Sequence, residues 1–164
     1  MESKLTNKWI SVDIESDGPS PVEHSMIAIG ACIVSETEDM ERAGFLAYLR
    51  PITEDYLDES LAVTNLTRAQ TLEFENPADV MLRFENWIKA KHIDRPMFIS
   101  DNNGFDFKWI DYYFYKFLGR NPFGYSSTNL GSLYKGLVKD TFKNFKHLRK
   151  TKHDHNPLHD AIGN

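Results

Sequence analysis

The sequence predicts an α/β fold: a mixed β-sheet, made of an antiparallel meander plus parallel strands, flanked by α-helices. Three segments rich in Ile, Val, Ala and aromatic residues come early in the chain, each bounded by turn residues. Two amphipathic helical segments follow, with a short apolar strand between them. Strands adjacent in sequence pair antiparallel, whereas a crossover through a helix gives parallel pairing. This order of elements therefore predicts a mixed sheet covered by helices.

The first three strands are predicted at 9–15, 25–35 and 44–49. The turn-rich run Gly18-Pro19-Ser20-Pro21 separates the first two, and Pro51 follows the third. A fourth, short strand is predicted at 97–100. No segment repeats, and none has low complexity.

Two longer helices have apolar residues at helical spacing. Asn76 and Pro77 supply an N-cap and a first-turn proline for the first of these helices. The second helix follows the fourth strand and is predicted to end near Gly119. Shorter helices are predicted at 130–138 and from Pro157 onward. The apolar positions of the two longer helices are Val80, Phe84, Trp87 and Ile88, and Phe107, Ile110, Phe114, Phe117 and Leu118.

The chain of 164 residues is predicted to be one domain, 1–164, whose last helix is either short or continues beyond the chain. No apolar run reaches the roughly 20 residues of a membrane helix, and the start of the chain does not read as a signal peptide. The single cysteine, Cys32, excludes an internal disulfide and is expected to be a buried thiol. A cytoplasmic location is expected.

Four acidic residues and a histidine suggest a metal site. Asp13 and Glu15 stand at i and i+2 of the first strand, so their side chains share one face. Like charges on one face repel each other, and a hard divalent cation with its preference for oxygen ligands removes that conflict. Asp106 begins the second long helix, and His155 and Asp160 stand near the C-terminus. A metal held by such carboxylates suggests phosphate chemistry.

The charge is unevenly distributed along the chain. The net charge is −5, and four of these negative charges correspond to the candidate metal ligands. Between Lys135 and Lys152 there are seven basic residues and one acid, Asp140. This stretch is either a solvated helix face or, as we favour, a contact surface for backbone phosphates beside the metal site.

The motifs resemble those of the DEDDh group of 3′–5′ exonucleases, which includes the DnaQ-like enzymes, RNase T and oligoribonuclease and has an RNase H-like fold. That group carries Asp-x-Glu-x-x-Gly/Thr, then Asn-x-x-Asp, then His-x-x-x-x-Asp. The resemblance spans 9–164, and Pro157 departs from the alanine common at its position. The matching residues are, in order, Asp13, Glu15 and Gly18, then Asn103 and Asp106, then His155 and Asp160.

The resemblance implies a two-metal mechanism with two divalent cations, Mg²⁺ or Mn²⁺. Asp13, Glu15 and Asp160 would hold one ion, and Asp13 would bridge to a second about 4 Å away. Asp106 would complete the acidic ring, mainly by contacting metal-bound water. His155 would take the proton from the attacking water. The products would be nucleoside 5′-monophosphates, released one at a time from a 3′ end.

Four residues are candidates for contacting the terminal nucleotide: Gly18, Met26, Asn103 and Phe105. Phe105 would offer a stacking surface, although core packing is the default for an aromatic residue at helical spacing. Two further histidines, His153 and His159, could form a Zn or Mn cluster with His155 and Asp154, but both are expected to be surface residues.

The expected partner is the 3′ end of single-stranded RNA or DNA, with RNA somewhat favoured; a homodimer is left open and no membrane is expected. Two alternatives remain: a catalytically inactive exonuclease-fold domain that binds nucleic acid or serves as a scaffold, and a metal hydrolase of small nucleotides. The complete set of five residues argues against the first. Net acidity favours short substrates, whereas the basic segment favours longer ones.

Overall fold

One five-stranded sheet organises the protein in the computed structural model, which describes residues 7–35, 39–149 and 151–164. The strand order is β3-β2-β1-β4-β5. The pairs β1–β2 and β2–β3 are antiparallel, and β1–β4 and β4–β5 are parallel, so the predicted mixed sheet is confirmed. The strands are β1 (Asn7–Ser16), β2 (Met26–Ile33), β3 (Phe45–Tyr48), β4 (Arg95–Ser100) and β5 (Ser127–Asn129).

Helices cover the sheet, and the four predicted ones are present. Asn76 caps α4 by accepting a hydrogen bond from the Ala78 N–H, with Pro77 in the first turn. Gly119 ends α5 in the left-handed conformation. The helices are α1 (Met40–Ala43), α2 (Asp58–Thr64), α3 (Arg68–Leu72), α4 (Pro77–Ala90), α5 (Asn103–Leu118), α6 (Leu130–Val138) and α7 (Pro157–Gly163), with a 3₁₀ turn at Lys146–Leu148.

The core lies between the sheet and the pair α4 and α5. Phe84 of α4 is its centre, with ring centroids 4.8 Å from Phe45 and 5.6 Å from Phe114. Trp109 of α5 is fully buried. Cys32 is buried and unbonded as predicted, and burial raises the pKa of its thiol to about 12, which leaves it inert at neutral pH. Among the described residues, no helix is both long and apolar enough to cross a membrane.

The opposite face of the sheet receives α7, which carries Asp160. The helix backbone lies directly on β2 at Gly30, where a Cβ atom would overlap the backbone of Pro157 and Leu158. The Ser11 hydroxyl of β1 donates a 2.6 Å hydrogen bond to the Ala161 carbonyl. Pro157 stands at the first helical position, so this departure from the motif is compatible with a regular helix start.

Candidate active site

Three of the four carboxylates meet at the junction of β1 and α7. Asp13 and Glu15 share one face of β1, and Asp160 in the first turn of α7 faces them. One carboxylate oxygen from each of the three lies within 4.8 Å of the others. Asp160 is fully buried, while Asp13 and Glu15 are partly buried. Hard oxygen donors at this separation match the ligand preference of a divalent cation.

Asp106 lies behind this group rather than within it. Its Oδ1 accepts a 3.2 Å hydrogen bond from the backbone N–H of Ile14, the residue between the two β1 carboxylates. The side chain is 4% exposed and stands in the first turn of α5, where the helix dipole favours an anion. Asp106 therefore contacts the backbone of β1 between Asp13 and Glu15.

The pKa values of these carboxyl groups are raised, because burial disfavours the charged form and the acids repel one another. Burial and the charges of Asp106, Glu15 and Asp160 hold the pKa of Asp13 well above its usual range. Burial and then the charges of Asp160 and Asp106 raise the pKa of Glu15 to about 8. Burial, with a contribution from Asp101, raises the pKa of Asp106 to about 7. When these acids ionise together they repel one another, and a bound cation would remove that repulsion.

Asp160 is held by a dense set of donors. Arg149 Nη2 lies 3.1 Å from Asp160 Oδ1, and the backbone N–H of Asp154 donates to the same oxygen at 3.3 Å. The other oxygen, Oδ2, accepts from the backbone N–H of His155 at 3.1 Å. The left-handed conformation of His155, with a φ of 61°, accompanies this contact. These contacts fix the position of the carboxylate relative to β1.

The histidines separate into two groups. His155 Nδ1 lies 3.4 Å from Glu15 Oε1, so this ring faces the carboxylates. His159 points away and pairs with Asp154 at 3.0 Å, as expected for a surface residue. His153 is half-exposed, yet its Nδ1 lies 2.9 Å from Asp160 Oδ2 and its ring centroid lies 4.4 Å from that of His155. The second candidate ligand group is therefore His153, His155 and Asp160, and not the cluster with His159 and Asp154.

A cavity of about 330 Å³ opens beside Glu15. Two of the predicted substrate residues, Gly18 and Phe105, line it together with Leu57 and Val63 from the α2 region. Gly18 is required there, because a Cβ atom would overlap the ring of His24. The Phe105 ring is half-buried, and Lys108 Nζ lies 4.9 Å from its centroid.

The other two substrate candidates are placed differently. The Met26 side chain is fully buried in the main core, so the expectation that it contacts a nucleotide is wrong. Position 26 starts β2, which is buried along its whole length. Asn103 uses its side-chain amide to join α5 to β5: it donates to Ser127 Oγ at 2.6 Å and accepts from Asn129 Nδ2 at 3.1 Å. That amide connects two elements and does not line the cavity.

Comparison with known proteins places this arrangement in a family. The family model described as exonuclease, RNase T type, matches residues 10–163. The chain is 34% identical over 163 residues to the 3′–5′ DNA exonuclease Cap18 of Escherichia coli, covering 93% of this chain and 85% of the relative. The chain belongs to the DEDDh exonuclease family. It is a 3′–5′ exonuclease, hence a phosphodiester hydrolase.

Solved structures agree on the DEDDh fold. The nuclease domain of 3′hExo, a DEDDh family member bound to rAMP, superposes with a TM-score of 0.75 at 18% identity, covering 98% of this chain and 89% of that one. The zinc-bound form of the E. coli ExoI–ssDNA complex gives a TM-score of 0.72 at 15% identity, covering 97% of this chain and 39% of that one. The RNase H-like fold is confirmed. DEDDh exonucleases use divalent metal ions.

Three features of this DEDDh site have no signal in the sequence. The α2 wall of the cavity comes from a short helix with one buried residue, Leu61. The Asp17–Arg68 ion pair, at 2.7 Å with Asp17 fully buried, connects residues 51 positions apart. Arg149 was one of seven basic residues in its stretch, and nothing local distinguishes it as the partner of Asp160. Such long-range pairings become visible only in the folded chain.

Proposed function

We propose that this DEDDh exonuclease hydrolyses single-stranded DNA with two divalent cations, Mg²⁺ or Mn²⁺, held by Asp13, Glu15 and Asp160 with the support of Asp106. The observation that carries the proposal is the group of three carboxylates within 4.8 Å of one another, with a cavity and the His155 imidazole both next to Glu15. One divalent ion would balance half of the charge on four carboxylates, and two would balance all of it.

The donor chemistry fits such ions. Every proposed ligand is a carboxylate, which Mg²⁺ and Mn²⁺ prefer, and burial strengthens the attraction for a cation. When bound, the ions would lower the pKa of water and stabilise the negative charge that develops on the phosphate. Arg149 and the backbone N–H groups around Asp160 keep that carboxylate aimed at β1.

His155 would act as the general base. Its ring is about one-third exposed at the edge of the carboxylate group, with Nδ1 3.4 Å from Glu15 Oε1. An imidazole in its neutral form accepts a proton near neutral pH, so it would take the proton of the water that attacks phosphorus. The bond from phosphorus to the 3′ oxygen would break, releasing a nucleoside 5′-monophosphate and leaving a 3′-hydroxyl on the shortened chain.

The cavity beside Glu15 would hold the terminal nucleotide. Its volume of about 330 Å³ is within the range of small-ligand pockets. Phe105 offers a ring to the base, and the apolar side chains of Leu57 and Val63 line the wall from the α2 region. Glu59 and Ser60 also line this pocket. Stacking on the Phe105 ring would accept any base, which suits an enzyme that removes successive nucleotides.

DNA is placed before RNA as the substrate because the relative with 34% identity is a DNA exonuclease. The preference for RNA suggested from sequence becomes the competing outcome of the test.

The test is hydrolysis of 5′-labelled single-stranded DNA and RNA of one sequence, with Mg²⁺ or Mn²⁺ and then with excess EDTA. We expect a ladder of shortening DNA products that EDTA abolishes and that added Mg²⁺ or Mn²⁺ restores. Undiminished hydrolysis in excess chelator would contradict the metal site. Faster degradation of RNA would reverse the substrate order.

A further inference from the structure

A second cavity lies beside the carboxylate group, and two of its lining residues contact Asp160. Its volume is about 480 Å³. Arg149 Nη2 lies 3.1 Å from Asp160 Oδ1, and His153 Nδ1 lies 2.9 Å from Asp160 Oδ2. Two cavities therefore lie next to the carboxylate group: Glu15 lines the first, and two residues that contact Asp160 line the second. The residues lining the second cavity are Asp101, Lys146, Arg149, Thr151, Lys152 and His153.

The lining of this second cavity is positively charged. Asp101 is its one acid, against Lys146, Arg149 and Lys152. Within the described ranges, neither Lys146 nor Lys152 has a carboxylate oxygen within 4.0 Å of its ammonium group. The chain as a whole carries a net charge of −5, so an excess of cations beside the site is a local feature. Uncompensated ammonium groups at a concave surface attract phosphates.

The position of the cations in the second cavity indicates where the substrate strand would run. If the terminal nucleotide occupies the cavity at Glu15 and the cleaved bond lies at the carboxylates, the rest of the strand leaves on the Asp160 side. A phosphodiester backbone carries one negative charge per nucleotide, which matches closely spaced cations. A dinucleotide would fill the first cavity and the carboxylate group without extending far into the second.

We propose that the second cavity binds the backbone phosphates of the nucleotides on the 5′ side of the cleaved bond, so that the enzyme selects single-stranded chains several nucleotides long over dinucleotides. The proposal rests on the proposed function, because it takes the carboxylates as the point of cleavage. It makes Lys146 and Lys152 determinants of substrate length, acting on binding and not on the chemical step.

The experiment compares a double variant, Lys146→Gln with Lys152→Gln, against a matched control, Lys8→Gln with Lys116→Gln. The control residues are exposed lysines far from the site: Lys8 is the second residue of β1, at the end opposite Glu15, and Lys116 lies in the last turn of α5. Two measurements are made on each protein. The first is equilibrium binding of a fluorescent single-stranded 12-mer in EDTA from 50 to 200 mM salt. The second is kcat/KM for the 12-mer and for a dinucleotide with Mg²⁺.

Each phosphate contact to a single strand contributes roughly 0.7 to the slope of log affinity against log salt concentration. Removing two contacts lowers the steepness of this slope by about 1.4. When the salt rises from 50 to 200 mM, the affinity of wild type should therefore fall by about 7-fold more than the affinity of the double variant. We expect that result together with a reduced kcat/KM for the 12-mer, an unchanged kcat/KM for the dinucleotide, and a control that behaves like wild type.

An unchanged salt slope in the double variant, or an equal loss of kcat/KM on the 12-mer and the dinucleotide, would overturn the proposal. Failure of the proposed function would look different, because wild type would then hydrolyse neither substrate in a metal-dependent way. The binding measurement needs neither metal nor hydrolysis, so in that case it still decides whether the second cavity holds phosphates.

Discussion

Raising the pH in the absence of metal ions is expected to destabilise the protein through Glu15. The fold raises the pKa of this carboxyl from its ordinary 4.5 to about 8, chiefly by burial and then by the charges of Asp160 and Asp106. A raised pKa means that the folded state favours the protonated form. This contribution to stability is fully present below pH 4.5, declines as the carboxyl ionises in the unfolded chain, and is gone above about pH 8.

The size of the effect follows from the two pKa values. At about 1.4 kcal/mol per pKa unit, the difference between 4.5 and about 8 corresponds to roughly 5 kcal/mol. Small domains have unfolding free energies of about 5–15 kcal/mol, so this loss is a large fraction of the total. A bound divalent cation binds the ionised form and should reverse the loss.

The assay is urea unfolding of wild type and Glu15→Gln from pH 4.5 to pH 9, in EDTA and again with Mg²⁺ or Mn²⁺. Glutamine mimics the protonated carboxyl, so the variant in EDTA should lose less stability than wild type as the pH rises. The raised pKa values of Asp13 and Asp106 leave the variant part of the decline. Glu73→Gln removes one negative charge at the exposed end of α3 and serves as the control. Parallel curves for wild type and Glu15→Gln, or no effect of metal on wild type at pH 8.5, would refute the reasoning.

Three further predictions concern the base, a buried ion pair and the docking of α7. His155→Ala should lower the single-turnover rate by about 10²–10⁴ and leave metal affinity by calorimetry intact; lost metal binding would make the histidine a ligand. Arg68→Ala leaves Asp17, which is fully buried, without its cation and should lower the unfolding free energy by about 3–5 kcal/mol in urea; a loss below 1 kcal/mol would contradict this. Gly30→Ala should push α7 off β2 and weaken metal binding in calorimetry, whereas Gly136→Ala, with open space at its Cβ position, should not; equal effects would mean that the close approach is unimportant.

The large elements of the fold were predictable because the apolar pattern of each segment matches the secondary structure that it adopts in the fold. Four strands, the capped helix α4 and the helix α5 all have apolar patterns of the right period. The small elements were missed because tertiary contacts stabilise them. α2 and α3 each bury one residue, Leu61 and Thr71, and β5 consists of Ser127, Thr128 and Asn129, which carry no apolar pattern. Thr67 and Gln70 form a capping box at the start of α3, but no apolar pattern of helical period accompanies it.

The error at Met26 has a specific cause. β2 lies between β1 and β3 and is covered on both faces, so every residue from Met26 to Ile33 is buried. A strand buried on both faces shows no alternation, and an apolar residue at its start looks the same whether it faces a ligand or the core. Proximity to a turn-rich loop was therefore insufficient to assign Met26 to the substrate.

The arrangement of β1 explains why the protein tolerates a group of acids that resist ionisation. Ile10, Val12 and Ile14 are buried in the main core, and their packing fixes the register of the strand. The alternate positions, among them Asp13 and Glu15, then face α7 and cannot move apart to relieve their repulsion. Apolar burial on one face thus holds charge together on the other. If that is the origin of the site, weakening the core face should weaken metal binding before it unfolds the protein.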